Sequence, residues 1–146
     1  MKILVCTDGS EQSLKAAQKA ALIAKSPDVE DVAIIHVYSS EQETSPFFIT
    51  SEKQDELVRK VKEDYREERK KILDEALAFF KDNNTVRTIL KEGHPSHTIV
   101  TVAAEEGFDL IVIGSRGLGG LEKLFLGSVS NAVLHEVKDC SVVIVK

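Results

Sequence analysis

The chain has few of the residues that build disulfide-rich or metal-stapled domains. Its 146 residues include two cysteines, Cys6 and Cys140, and no tryptophan. Neither cysteine has a partner at metal-ligand spacing, so we predict two ordinary thiols in or near the core. No apolar run approaches the roughly 20 residues that span a bilayer. The first apolar run stops at Asp8, which is too early for a secretory signal, and we therefore predict a cytoplasmic protein.

An excess of positive charge is also missing. The formal net charge is −5, with 29% charged and 42% apolar residues. A general nucleic-acid binder needs a basic face to neutralise phosphates, so we predict that nucleic acid is not a partner. The lack of a long apolar run predicts that a membrane is not a partner either. A single anionic ligand is compatible with this charge, because a few backbone N–H groups supply local positive potential. The length fits one domain, residues 1–146.

Short apolar runs alternate along the chain with helix-like stretches. Because this alternation is typical of parallel sheets, it predicts an α/β fold with helices on both faces. Right-handed crossovers then favour a doubly wound sheet, in which ligands bind outside the carboxyl ends of the strands. The five predicted strands cover residues 3–6, 32–38, 85–90, 110–113 and 142–145.

The second crossover is unusually long. Residues 39–50 contain Ser, Glu, Thr and Pro46, and we interpret them as a loop. Residues 51–82 carry an apolar stripe at helical spacing among many charges, which predicts one amphipathic helix. The first turns of this helix are expected to fray or project, so the loop region is taken as 39–56. The apolar cluster Phe47-Phe48-Ile49 in this loop either packs onto the sheet or forms a flap over a ligand, and the sequence leaves both open.

The most informative segment is Gly114-Ser115-Arg116-Gly117, followed by nine residues and then Gly127-Ser128. It begins where the fourth strand ends and finishes where a helix begins. Glycine lets a backbone approach a phosphate closely, and a helix N-terminus offers N–H groups and partial positive charge. The pattern favours phosphate binding, with a flexible loop that closes a crossover as the alternative. Neither a P-loop nor a G-x-G-x-x-G motif is present.

This glycine spacing resembles the ATP-binding signature of the universal stress protein family. Residues 3–11, 36–37, 92–95 and 109–114 resemble further parts of the family pattern, and the likeness covers residues 2–145 apart from 39–56. The resemblance implies the sheet order 3-2-1-4-5 and a homodimer formed through the last strand. Two departures are Ser141, where the family often has proline, and Cys6-Thr7, where small apolar residues or proline are common.

The resemblance also implies a ligand, which is ATP, ADP or AMP, with Mg²⁺ or Mn²⁺ as candidate ions on the phosphates. Asp8 and Val37 would lie near the adenine or ribose, and the helix start after Gly127 would contact the phosphates. Read from the residues alone, Asp8 before Gly9-Ser10 is as well explained as a turn or capping residue. The complete set of implied cofactor-binding residues is Thr7, Asp8, Val37, Ile113, Gly114, Arg116, Gly117, Gly127, Ser128, Val129 and Ser130.

The function predicted from these observations is nucleotide binding in a stress-response or regulatory role, with little or no hydrolysis. Phosphoryl transfer needs a positioned base and a metal clamp, and we assign no catalytic residue and no metal site. His94 and His97 form H-x-x-H without a further ligand, so capping and surface roles are expected. The alternative is a slow ATPase or nucleotidyl-transfer enzyme of a related fold. A phospho-receiver domain is disfavoured, because the third strand does not end in Asp.

The last predicted strand supports association as well. Residues 142–145 are four consecutive β-branched apolar residues. In the order 3-2-1-4-5 they form a sheet edge, and an edge usually carries a charge, a proline or a bulge that prevents pairing. None lies within this run, so we expect a two-fold partner strand to cover it.

Overall fold

The computed structural model describes residues 1–39, 52–81, 86–116 and 126–146, with the side chains of 52–58 left aside. Five strands and four helices alternate along the described chain. The strands are β1 (Lys2–Cys6), β2 (Asp31–Tyr38), β3 (Val86–Glu92), β4 (Leu110–Gly114) and β5 (Ser141–Val145). The helices are α1 (Glu11–Ile23), α2 (Glu52–Leu77), α3 (Pro95–Glu106) and α4 (Ser128–Glu136), and a 3₁₀ turn at Ala78–Phe80 continues α2.

The strands form one parallel sheet in the order β3-β2-β1-β4-β5. This confirms the predicted α/β class and strand order. β1 is central, with Ile3 paired to Val32 of β2 on one side and to Leu110 of β4 on the other. From β1 the chain first adds β2 and β3 on one side of the sheet and then β4 and β5 on the other. The carboxyl ends of β1 and β4 therefore flank the point of reversal, where such sheets bind ligands.

Helices cover both faces of the sheet. The first face packs against α1 and α2, and three alanines of α1 that lie against it are fully buried: Ala16, Ala17 and Ala20. Their small size lets the helix lie close to the strands. The second face packs against α3 and α4 through Ile99, Val102 and Val133. Together the two layers bury both sides of β1 and β4, which explains why these strands have no polar alternation.

Each helix that follows a strand starts near the carboxyl edge of the sheet, and local sequence signals fix these starts. Ser10 caps α1 by accepting a hydrogen bond at 3.2 Å from the amide of Ser13. Pro95 occupies the first turn of α3, where a missing N–H costs nothing. At the far end of α3, Gly107 adopts φ = 68°, a conformation that glycine reaches without strain. Consequently three helix N-termini, those of α1, α3 and α4, border the same edge.

Helix α2 is much longer than the strands beside it. A Cβ atom on Gly9, just after β1, would lie 3.1 Å from Cγ1 of Ile72, so this part of α2 is level with the end of β1. The helix begins at Glu52, and at 1.5 Å per residue its earlier turns extend about 30 Å past the carboxyl edge. The guanidinium of Arg69 lies 3.5 Å from the Tyr38 ring centre and anchors α2 to β2. Residues 40–51, with the Phe47-Phe48-Ile49 cluster, lie outside the described residues.

Two further sequence predictions concern the thiols and the bilayer. Cys6 is buried, Cys140 is half-buried, and both are free thiols. Among the helices in the described ranges, none has the length and apolar character needed to cross a membrane.

Candidate functional site

The turn after β1 forms one side of the candidate site. The amide of Thr7 donates to the carbonyl of Ile35 at 3.0 Å and extends the ladder between β1 and β2. The carboxylate of Asp8 accepts a hydrogen bond from the amide of Ser10 at 3.0 Å. Asp8 therefore acts as a turn residue at the start of α1, and it also stands at the carboxyl edge where a ligand would lie. The two interpretations of Asp8 that the sequence left open, a turn residue and a residue near the ligand, are therefore compatible.

Thr7 is engaged on both its hydroxyl and its carbonyl. Its Oγ1 lies 3.2 Å from Ser13 Oγ and accepts from the amide of Gly9 at 3.3 Å. Nδ1 of His36 lies 2.9 Å from the Thr7 carbonyl, and since a carbonyl only accepts, Nδ1 must carry the hydrogen. His36 thus ties the end of β2 to the end of β1. The sequence alone does not reveal this contact, because it joins residues 29 positions apart in the chain.

The end of β4 forms the next side of the site. Ile113 is buried on the face covered by α3 and α4. A Cβ atom on Gly114 would lie 2.8 Å from the backbone carbon of Gln12 and 2.9 Å from the nitrogen of Ser13. Glycine at position 114 is therefore required by the close approach of α1, whatever ligand the edge binds. The glycine spacing in the sequence predicts close approach to a phosphate and does not reveal this packing contact.

Gly127 caps the start of α4 and crosses closely over the chain that leaves β4. Its amide donates to the carbonyl of Ser115 at 2.7 Å. A Cβ atom on Gly127 would lie 3.2 Å from Cα of Arg116. Absence of a side chain at 127 therefore lets the N-terminus of α4 dock directly against the end of β4.

The first turn of α4 presents donors at this edge. The amides of Ser128, Val129 and Ser130 open the helix, where N–H groups lack a partner inside the helix. Within the described part of the chain, none of the three has another hydrogen-bond partner. Ser128 is exposed, Val129 is half-buried and Ser130 is buried. The three amides and the positive end of the helix dipole together form a site that can bind an anion.

The predicted residues lie on three adjacent strands and one helix start. Thr7 and Asp8 follow β1, and Val37 lies near the end of β2. Ile113 and Gly114 are the last residues of β4, and Arg116 follows the strand. Val37 and Val129 pack on the same core, beneath α3 and α4. Gly117 and the loop from 117 to 125 lie outside the described residues. The fold therefore brings the other predicted residues to one edge, without itself testing their role in binding.

The chemistry of the edge favours binding over covalent reaction. Burial raises the pKa of the Cys6 thiol far above its ordinary value, and the charges of Cys140 and Asp8 act in the same direction. A thiol held neutral in this way is a poor nucleophile. In the portion of the chain that the structure describes, no cluster of three or more His, Cys, Asp or Glu side chains could hold a metal ion.

Comparison with known proteins identifies relatives over the full length. The family model described as "Universal stress protein family" matches residues 1–146. The universal stress protein YxiE of Bacillus subtilis is 36% identical, over 99% of this chain and 98% of the relative.

Solved structures share the architecture. MJ0577, a universal stress protein of Methanocaldococcus jannaschii, superimposes with a TM-score of 0.77 at 28% identity, over 99% of this chain and 96% of its own. A universal stress protein crystallised in complex with cAMP superimposes with a TM-score of 0.62 at 25% identity, over 100% of this chain and 96% of its own.

Proposed function

This chain belongs to the universal stress protein family, and we propose that it is a regulatory protein that binds ATP, ADP or AMP at the carboxyl edge of its sheet. The observation that carries the proposal is the first turn of α4. Three amides without partners in the described chain and the hydroxyl of the exposed Ser128 lie beside the end of β4. A phosphate group is the natural complement of such a helix start.

This anchor supplies a large part of the free energy that binding a nucleotide requires. A hydrogen bond to a charged group is worth about 1.5–3 kcal/mol. Three such bonds reach the range of a micromolar dissociation constant, about 8 kcal/mol, before the costs of association are subtracted. The anchor needs no lysine in the loop, and it is compatible with the net charge of −5.

The adenine end of the ligand is proposed at the ends of β1 and β2. Asp8 supplies a carboxylate at this edge, and Val37 supplies apolar surface beside it. The solved relative in complex with cAMP supports an adenine nucleotide as the ligand class. Whether the chain prefers one, two or three phosphates is decided by comparing ATP, ADP, AMP and cAMP.

The direct test is isothermal calorimetry on the wild-type protein with these four nucleotides and with GTP. We expect micromolar binding of at least one adenine nucleotide and weaker binding of GTP. Absence of heat with every adenine nucleotide would remove the proposed function. We propose a cytoplasmic location as well. We also propose that hydrolysis of the nucleotide is slow, since amides and a serine hydroxyl bind an anion without activating water. Phosphate release at about 1 per second or faster, the ordinary enzyme range, would contradict slow hydrolysis.

We also propose a homodimer formed through β5. Val143 of β5 is 37% exposed, and the strand Ser141–Val145 carries no charge. Among the strands that the structure describes, β5 pairs with β4 alone. The opposite edge, β3, carries Arg87, Lys91 and Glu92, which discourage pairing with another chain. The uncharged β5 edge is therefore the one suited to a two-fold partner.

The two edges offer a matched pair of variants for this proposal. Val143→Lys places a charge on β5, and Leu90→Lys places the same charge on β3, where Leu90 is 41% exposed. Light scattering of the wild type and of Leu90→Lys should give about twice 16.1 kDa, whereas Val143→Lys should approach 16.1 kDa. A wild type with the mass of one chain at micromolar concentration would contradict the dimer.

A further inference from the structure

Ser130 occupies an unusual position in the first turn of α4. Its side chain is almost completely enclosed, at 2% exposure. Its Oγ donates toward two carbonyl oxygens, that of Ser115 at 3.1 Å and that of Gly127 at 3.0 Å. A serine hydroxyl has a single hydrogen, so these two contacts share it as a bifurcated bond.

That shared hydrogen limits what Ser130 can offer to a phosphate. Phosphate oxygens at neutral pH accept hydrogen bonds, so a hydroxyl contacts them by donating. The hydrogen of Ser130 already points toward the protein's own carbonyls, and donating it outward would take it away from both of them, including the buried contact with Ser115. Ser128 differs, because it is exposed and its hydroxyl has no partner in the described part of the chain.

The carbonyl of Ser115 is the centre of a small network that reaches β5. It accepts from the amide of Gly127 at 2.7 Å as well as from Ser130. The amide of Ser115 donates to the carbonyl of Val145 at 2.6 Å. The start of α4 is thereby joined through Ser115 to the ends of both β4 and β5.

We propose that Ser130 is a positioning residue, whose buried hydroxyl ties the first turn of α4 to Ser115 and so orients the amides of Ser128 and Val129 toward phosphate. This inference rests on the proposed function and refines it. The first turn of a helix has fewer hydrogen bonds than its middle and opens more easily. A turn held in its binding geometry before the ligand arrives loses less conformational freedom on binding.

The test compares Ser130→Ala with the wild type, using ATP and adenosine as probes. Loss of one hydrogen bond to a neutral partner changes an equilibrium about three- to tenfold, so ATP affinity should fall by that factor. Adenosine has no phosphate, and its affinity, measured by NMR titration, should change by less than about twofold. Ser130→Cys fills the space of the serine side chain but has only a weak donor, so it should lower ATP affinity as alanine does. Recovery of ATP affinity in Ser130→Cys would mean that the alanine effect comes from a cavity, and would contradict the proposal.

A matched control is available at another helix start. Ser96 lies in the first turn of α3, is also 2% exposed, and pairs with His94 at 3.2 Å. Ser96→Ala therefore removes a buried hydroxyl outside the proposed network and should leave the affinities for ATP and adenosine unchanged. Hydrogen exchange in the ligand-free protein supplies a second readout, since Ser130→Ala should speed exchange of the Gly127 amide while Ser96→Ala should not.

Any result other than these expected ones overturns the proposed role of Ser130. An equal loss for ATP and adenosine would indicate general destabilisation, and unchanged ATP affinity would mean that the hydroxyl does not matter. Lower ATP affinity with unchanged exchange at Gly127 would mean that Ser130 contacts phosphate directly. If the wild type itself binds no adenine nucleotide, the proposed function fails together with this inference. If only the variants depart from expectation, this inference fails alone.

Discussion

A negative charge placed at the start of α4 should weaken nucleotide binding without lowering the stability of the fold. In Ser128→Glu, an exposed residue in the first helical position receives a carboxylate where we propose that phosphate binds. An acidic side chain in a first helical turn stabilises a surface helix by about 0.3–1 kcal/mol. The substitution should therefore preserve or slightly raise thermal stability, while it repels the ligand.

The size of the effect follows from the distance between the charges. Two unit charges about 4 Å apart interact by about 1 kcal/mol in bulk water and about 4 kcal/mol near a protein surface. Side-chain rotation reduces this repulsion, whereas the several charges of ATP increase it. We expect a loss of about 2–4 kcal/mol, which corresponds to about 30- to 1,000-fold weaker binding.

The assay is calorimetry with ATP on Ser128→Glu and on Ser128→Gln, the neutral control of equal size. The glutamine variant loses the serine hydroxyl, so its affinity should fall by less than about tenfold. Higher salt should narrow the difference between the two variants, because exposed charges are screened. Equal ATP affinities of Ser128→Glu and Ser128→Gln, with both proteins folded, would refute phosphate binding at this helix start. Glycine variants would be less decisive, since a Cβ at Gly114 or Gly127 meets backbone.

Gly114→Ala should lower the free energy of unfolding by about 1–3 kcal/mol in chemical denaturation, because its Cβ would lie 2.8 Å from the backbone of Gln12; a loss below about 0.5 kcal/mol would contradict the packing role. Cys140 should react with a thiol reagent before Cys6 does in the native protein, because Cys6 is buried and its pKa is raised further by desolvation. The pKa of Cys140 is also raised by burial, so its labelling rate should still be increasing with pH above the range of an ordinary thiol. Nucleotide should tighten the proposed dimer, because Ser115 joins the start of α4 to Val145 of β5; an identical dimer dissociation constant with and without saturating ATP would contradict this link.

Much of the architecture could be predicted from local patterns. Alternating apolar runs and helical stripes identified five strands and a parallel, doubly wound sheet, since these features depend on neighbouring residues. The structure begins β3 at Val86 and ends it at Glu92, two residues beyond the predicted end. The strand order came from the family resemblance, because patterns within single strands do not say which strands pair.

The candidate site was predicted only in outline. Glycine spacing marked the segment between the end of β4 and the start of α4, because glycine and a helix start leave a signal in the sequence itself. The spacing does not reveal that Gly114 makes room for Gln12 of α1, or that the Ser130 hydroxyl bonds to Ser115. Nor does it reveal that His36 ties β2 to the Thr7 carbonyl.

What the sequence determined by itself is therefore the set of elements and a candidate place for anion binding. Those properties depend on side-chain periodicity and on backbone groups close together in the chain. Only the tertiary structure decided which glycine is required by packing, which hydroxyl is engaged and which sheet edge is uncharged and exposed. These depend on contacts between residues as far apart as Gln12 and Gly114, and such contacts exist only once the helices have packed on the sheet.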